Sequence, residues 1–338
     1  MRHITRHVLA GLMLALWGAV GSALAQSPAQ SPAPPPAFWK NEWPKTDFAI
    51  TSVAHWSEIR GGGPPRDGIP AISDPKMIAV AQENRLGDRE PVIALELPGQ
   101  TPRAYPVRYL MWHEIVNDVV GEVPVAVTFC PLCNSGIVFD RRLNGEVLSF
   151  GVSGKLRNSD MVMYDHETES WWQQAIGTGI VGAHTGDELD EVTSWMESWA
   201  SFRARNPEGL VMDQPNWSRN YGTNPYANYD SSRRPFLFNG EMPPHGIPAL
   251  ARVVRVGNRA WPLERLRKEG EVNEAGVRIV WTAGQASALD SRKIADGRDV
   301  GAVRVYDAAG NSVLHDVMFA FAFNAFWPEP KGIWMLGR

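Results

Sequence analysis

The sequence predicts a β-rich α+β protein made of two similar strand-and-hairpin lobes related by an internal repeat. Three observations predict it. Short apolar or alternating runs, punctuated by Gly, Pro and Asn, outnumber helical patterns, as expected where strands dominate. Strands and helices do not alternate regularly, which argues against a doubly wound parallel sheet. The two halves of the chain also resemble each other. Arg103-Ala104-Tyr105-Pro106-Val107 with Leu110 matches Arg259-Ala260-Trp261-Pro262-Leu263 with Leu266, and Val127–Gly145 can be laid on Ile279–Gly297 without a gap.

The N-terminus gives an address. Arg2 and Arg6 precede an apolar run from Val8 to Val20, and Ser22-Ala23-Leu24-Ala25-Gln26 puts small residues where a signal peptidase cuts. This pattern marks residues 1–25 as a secretory signal peptide, and the expected location is periplasmic or secreted. The apolar run is shorter than the about 20 residues of a membrane span. No later stretch is apolar enough, so no transmembrane segment is expected after removal of the signal. Cleavage after Ala25 takes 25 of the 338 residues and two of the 33 basic ones. That leaves 31 basic against 37 acidic side chains, a net charge of −6. Without a Lys/Arg cluster, nucleic acid is a poor partner. An unknown small molecule, a metal or an envelope component remain. Residues 26–37 (QSPAQSPAPPPA) can bury nothing and form a spacer. Residues 38–338 form a single β-rich domain with lobes at about 48–190 and 235–338.

Within that domain, strands are expected at 92–97, 123–129, 136–142, 146–152, 252–256, 277–281, 302–306 and 317–323. Helices are expected at 75–82, 107–118 and 193–205. Asn144-Gly145 joins two of the strands and is a strong hairpin signal. Where the first half carries Cys130 and Cys133, the aligned second half carries Thr282 and Gln285. The repeated scaffold therefore does not need the cysteines.

Cys130-Pro131-Leu132-Cys133-Asn134 holds the only two cysteines and closes the strand at 123–129. Three readings compete. A structural disulfide suits an oxidising compartment, although so small a loop yields only about 2 kcal/mol by loop-closure entropy. A redox-active C-x-x-C would need activation, usually at a helix N-terminus, and no helix follows here. A metal knuckle needs a left-handed residue after the second cysteine, which asparagine supplies nearly as well as glycine. Two thiolates make half a tetrahedral site. His113 lies nearby as a further ligand or base, or as a core histidine satisfied by a backbone carbonyl. On a helix it would share a face with Asn117, and Glu114 with Asp118.

Residues 151–174 form a polar-rich stretch with Asp160, Asp165 and His166, where Met161 and Met163 read either as soft ligands or as strand core. Asp165-His166-Glu167-Thr168 also reads as a solvated turn. The 14 tryptophans could build a sugar-stacking platform at Trp171-Trp172 and the loop 221–229, or fill a core.

Three segments, residues 105–118, Thr128–Ser135 (TFCPLCNS) and 150–174, resemble a bacterial family of secreted proteins catalogued as domain of unknown function 3179. The resemblance covers the chain from roughly Ser52 onward. Many relatives carry glycine at the position of Asn134 and arginine at that of His166; His113 matches the family pattern. The family implies no established activity. The expectation from the residues is an extracytoplasmic protein that binds a soft metal, copper or zinc, through Cys130, Cys133 and His113. Glu114, Asn117, Asn134, Asp160 and Asp165 would surround the site. The alternatives are a periplasmic thiol–disulfide oxidoreductase, or a glycan- or envelope-binding module with a structural disulfide.

Overall fold

A computed structural model describes residues 34–337. The expected signal peptide, its expected cleavage site and most of the expected 26–37 spacer lie outside the described residues. Five sheets of three to five strands form the blades of a five-bladed β-propeller. With 36% strand against 14% helix the protein is β-rich, but five blades replace the expected two lobes.

The order of elements explains the difference. In one sheet Pro91–Leu95 pairs with Arg103–Pro106 and, on its other side, with Ser194–Ser198. In a second sheet Arg252–Val256 pairs with Arg259–Pro262 and Asp316–Phe319 in the same way. Each inner hairpin runs into a seven-residue helix, Val107–His113 or Leu263–Glu269, and then into an antiparallel sheet. These sheets hold Ile115–Val120, Val123–Cys130 and Ser135–Asp140 in one case, and Glu271–Glu274, Val277–Thr282 and Ala302–Tyr306 in the other. The similar halves thus supply four blades. The fifth combines Ile59–Gly61 with Phe150–Arg157, Asp160–Asp165, Trp171–Gln173 and Thr178–Val181. It has no counterpart in the second half. The gapless alignment ends where strand Val277–Thr282 ends: residues 283–301 precede the next strand, against 131–134 in the first half. Asp296-Gly297 accordingly closes a short 3₁₀ turn, Ile294–Asp296, not a hairpin.

All three helix expectations are shortened or divided, the one over 107–118 on β-branched residues. The helix over 107–118 stops at His113, and Ile115–Val120 is a strand paired with Val123–Cys130. Ile115, Val116, Val119 and Val120 lose little rotamer freedom on a pleated surface and more on a helix. His113 and Asn117 therefore share no helical face, nor do Glu114 and Asp118. Residues 193–205 divide into strand Ser194–Ser198 and helix Trp199–Arg205, and 75–82 into strand Met77–Ala79 and a 3₁₀ turn. The Asn144-Gly145 hairpin forms as expected: both residues have positive φ, and Leu143 faces Glu146.

The main core cluster contains Val127, Phe129, Ile137, Met161, Met163 and the run Phe319–Phe323, together with both cysteines. A satellite cluster packs Trp39, Trp43, Phe48, Trp56 and Trp171, with five pairs edge to face at 5.1–5.8 Å between centroids and Trp39–Phe48 tilted at 6.1 Å. Trp171 and Trp172 have no exposed surface, so neither can stack on a sugar. Among the described residues no helix is long and apolar enough to cross a membrane.

Gly154 fixes how the fifth blade meets the loop over residues 62–71. It has φ +71°, and a Cβ there would collide with the Pro64 carbonyl oxygen. Gly154→Ala should lower unfolding free energy by roughly 2 kcal/mol, because the left-handed penalty and the clash add. Chemical denaturation of wild type and variant side by side checks this.

Candidate metal centre

Two hairpin turns meet to make the site. The first is Cys130-Pro131-Leu132-Cys133-Asn134, which links strands Val123–Cys130 and Ser135–Asp140. Cys133 N donates to Cys130 O (3.2 Å) and Asn134 N to Pro131 O (3.3 Å). Asn134 adopts the expected left-handed backbone, φ +53°. Its Nδ2 donates to Val317 O (3.1 Å), and Phe319 N donates to Cys133 O (2.8 Å). The turn is thereby tied to a strand of another blade, which is why both free cysteines are buried. Asn134→Gly should cost about 1 kcal/mol, since glycine keeps the backbone and loses only the side chain's bond to Val317 O and its long one (3.5 Å) from Arg252. Asn134→Val should cost roughly 2–3 kcal/mol. Thermal denaturation of the two variants tests the order.

The second turn is Asn158-Ser159, both at positive φ, joining Phe150–Arg157 to Asp160–Asp165. It points the start of the second strand at the cysteines. The Cys133 thiol donates to Ser159 O (3.6 Å). One ligand atom from each of Cys130, Cys133 and Asp160 lies within 4.8 Å of the other two. Asp160 Oδ2 accepts from Gln173 Nε2 (2.6 Å) and Ala175 N (2.9 Å). Its Oδ1 is buried without a hydrogen-bond partner.

Glu114 is the fourth acid. It ends helix Val107–His113 at φ +58°, an uncommon backbone for a non-glycine residue that is held by Glu114 N donating to Leu110 O (2.8 Å) and Phe129 N donating to Glu114 O (2.8 Å). Burial, then the neighbouring Asp160 charge, pushes its carboxyl up to about 8. Burial raises Asp160 to about 6 against the pull of its hydrogen-bond donors, chiefly Gln173. Burial raises both thiols as well. Among the described residues no basic side chain pairs with any of the four.

The other expected participants lie elsewhere. His113, expected as the third ligand, is engaged at both ring nitrogens. Nδ1 must donate to the Pro70 carbonyl (2.7 Å), so Nε2 accepts from the Tyr221 hydroxyl (2.6 Å). It is the core histidine bound to a backbone carbonyl, and burial lowers its pKa. Asn117 clamps Phe150 through both its amide atoms. Asp165 accepts from Thr168 N, Thr168 Oγ1 and Trp172 Nε1, closing a turn. Met161 and Met163 are strand core, and His166 is exposed. Asp160, expected only around the site, is the residue that joins the cysteines. Tyr226, which lines a cavity beside Glu114, has no motif to announce it.

A family model described as protein of unknown function (DUF3179) matches residues 66–330. No curated protein and no solved structure matches the chain.

Proposed function

We propose that this chain, which belongs to the family of proteins of unknown function DUF3179, binds a divalent metal ion through Cys130, Cys133 and Asp160. The observation that carries this reading is the convergence of donors: one buried ligand atom from each of Cys130, Cys133 and Asp160 lies within 4.8 Å of the other two, and no basic side chain pairs with them among the described residues. Acids buried without a basic partner either keep their protons or bind a metal. The Asp160 Oδ1, buried beside the two thiols without a geometric hydrogen-bond partner, is free to serve as the third ligand atom.

The donor set supports zinc over copper. Two thiolates and a carboxylate suit borderline Zn(II), whereas Cu(I) favours a third soft ligand. Three protein ligands with a fourth position open is the pattern of zinc sites that bind a further molecule. The N-terminal segment points to work outside the cytoplasm. Cobalt(II) titration of the reduced, metal-free chain tests the proposal. The expected result is a saturable thiolate-to-cobalt charge-transfer band at one equivalent, abolished by zinc. No such band would sink the reading.

Thiol–disulfide exchange is the second reading, favoured by one observation: the Asp160 carboxylate sits beside both sulfurs and could take a proton from the attacking thiol. Against it, a strand and not a helix follows Cys133, and burial raises both thiols. A reduction potential in the range of cellular disulfide exchangers would favour this reading.

A further inference from the structure

A cavity of about 370 Å³ opens beside the acid cluster. Its walls are largely apolar, with Ile69, Leu132, Val152, Leu156, Met161 and Phe236 among them. Leu132 and Met161 are the chain neighbours of Cys133 and Asp160, so the cavity lies against the centre. Two polar groups stand out in this lining. Glu114 and Tyr226 both belong to it, and neither the Glu114 carboxyl nor the Tyr226 hydroxyl has a hydrogen-bond partner among the described residues. Lys155 also lines the cavity, but its ammonium is bound to Glu42 (3.1 Å) and lies over the rings of Trp39, Trp43 and Trp171.

One wall comes from a long irregular segment. Between strand Leu210–Met212 and strand Arg252–Val256 the only regular element is the 3₁₀ turn Tyr229–Ser231. Structureless connections of this length are uncommon in compact domains and usually functional. The segment is fixed to the cysteine turn, because the Tyr229 hydroxyl donates to Leu132 O (3.0 Å) and accepts from Phe236 N (3.2 Å). Phe236 lines the cavity and is 48% exposed, which places an apolar side chain at the mouth.

We infer that this cavity is a binding site for a small, uncharged, largely apolar molecule that carries a hydroxyl or similar group, seated with that group toward Glu114 and Tyr226. The apolar part of the inference stands on the cavity alone. The rejection of a cation rests on the proposed metal centre, whose own charge offsets that of its ligands; the rejection of an anion stands on Glu114 in the lining and on the pairing of Lys155 with Glu42. Cavities of this size and lining suit small molecules, with a few polar groups fixing orientation. An anion would meet the acid cluster, and the one lysine nearby is already paired.

The test uses the full chain, both metal-free and zinc-loaded, with N-phenyl-1-naphthylamine as a fluorescent probe. Saturable one-to-one binding is expected in both forms, so a failure of metal binding would not be mistaken for a failure of the cavity. Ile69→Trp fills the cavity and should weaken the probe at least tenfold while its circular dichroism spectrum and melting curve stay those of a folded protein. In competition, 1-naphthol should displace the probe at least tenfold better than 1-naphthoate. The proposal is overturned if the probe shows no saturable binding, if a folded Ile69→Trp binds it unchanged, or if 1-naphthoate competes as well as 1-naphthol. Should Ile69→Trp not fold, Val152→Phe, at another lining position, carries the same expectation.

Discussion

Cys133→Ser is expected to weaken zinc binding by roughly a hundredfold to a thousandfold while leaving the protein folded. A structural zinc site is worth about 10–16 kcal/mol over its ligands, so one thiolate of such a set accounts for several kcal/mol. The fold should survive because serine is nearly the same size. Its hydroxyl can donate to Ser159 O, which the Cys133 thiol now contacts at 3.6 Å. Asp160→Asn should behave similarly, since an amide keeps the hydrogen-bonding shape and removes the anionic ligand. His113→Gln and Asp165→Asn should change affinity by no more than about threefold, because their side chains are committed to Pro70, Tyr221, Thr168 and Trp172. Competition against a chromophoric chelator measures all four variants. Equal losses at His113 and Cys133 would contradict the arrangement of the site.

The metal-free protein should lose stability as pH rises above about 6.5, by a few kcal/mol up to pH 9; below that the lowered pKa values of buried His113 and His315 act the other way. Glu114 titrates at about 8 in the folded protein against an ordinary 4.5, and Asp160 at about 6 against 3.8. Both hold their proton more tightly when folded. The native state then binds more protons than the unfolded chain, and unfolding free energy falls with pH through these values. Their contribution is complete below about pH 4 and is lost as pH passes 6 and then 8. In melting temperature the drop from pH 6 to pH 9 should be roughly 5 °C. Glu114→Gln should flatten the part above pH 6. Zinc should reverse the trend, because thiolates and carboxylate must lose their protons to bind it. Melting curves of metal-free and zinc-loaded protein should therefore diverge as pH rises; parallel curves would contradict the proposed ligand set.

Local signals were legible wherever one chemistry decided the backbone. Asn144-Gly145 turns because both residues accept positive φ, and Arg252–Val256 is a strand at the expected bounds. Asn134 takes the left-handed conformation that a residue after the second cysteine requires. The number of blades was not legible, because the fifth sheet joins Ile59–Gly61 to strands about a hundred residues later through non-local hydrogen bonds. Helix 107–118 failed where an apolar run fits both periods and the β-branched half goes to the sheet.

At the site, the cysteines were visible as the chain's only pair, and His113 attracted attention as the nearest imidazole. Nearness in sequence misled. His113 ends a helix and turns toward Pro70, while Asp160 reaches the thiols across a hairpin turn. The signal for Asp160 was the N-S-D segment, whose Asn158 and Ser159 make a tight turn that presents the next side chain. Tyr226 and Phe236 carried no signal, since an irregular segment has no period to read.

The most direct test of the account is metal analysis of the protein, purified from its native host without chelator, together with thiol titration of the same sample. The account predicts close to one equivalent of zinc, with Cys130 and Cys133 reacting only after the metal is stripped. A sample without metal, whose thiols become titratable only after a reductant is added, would contradict the metal centre and leave the pair as a disulfide.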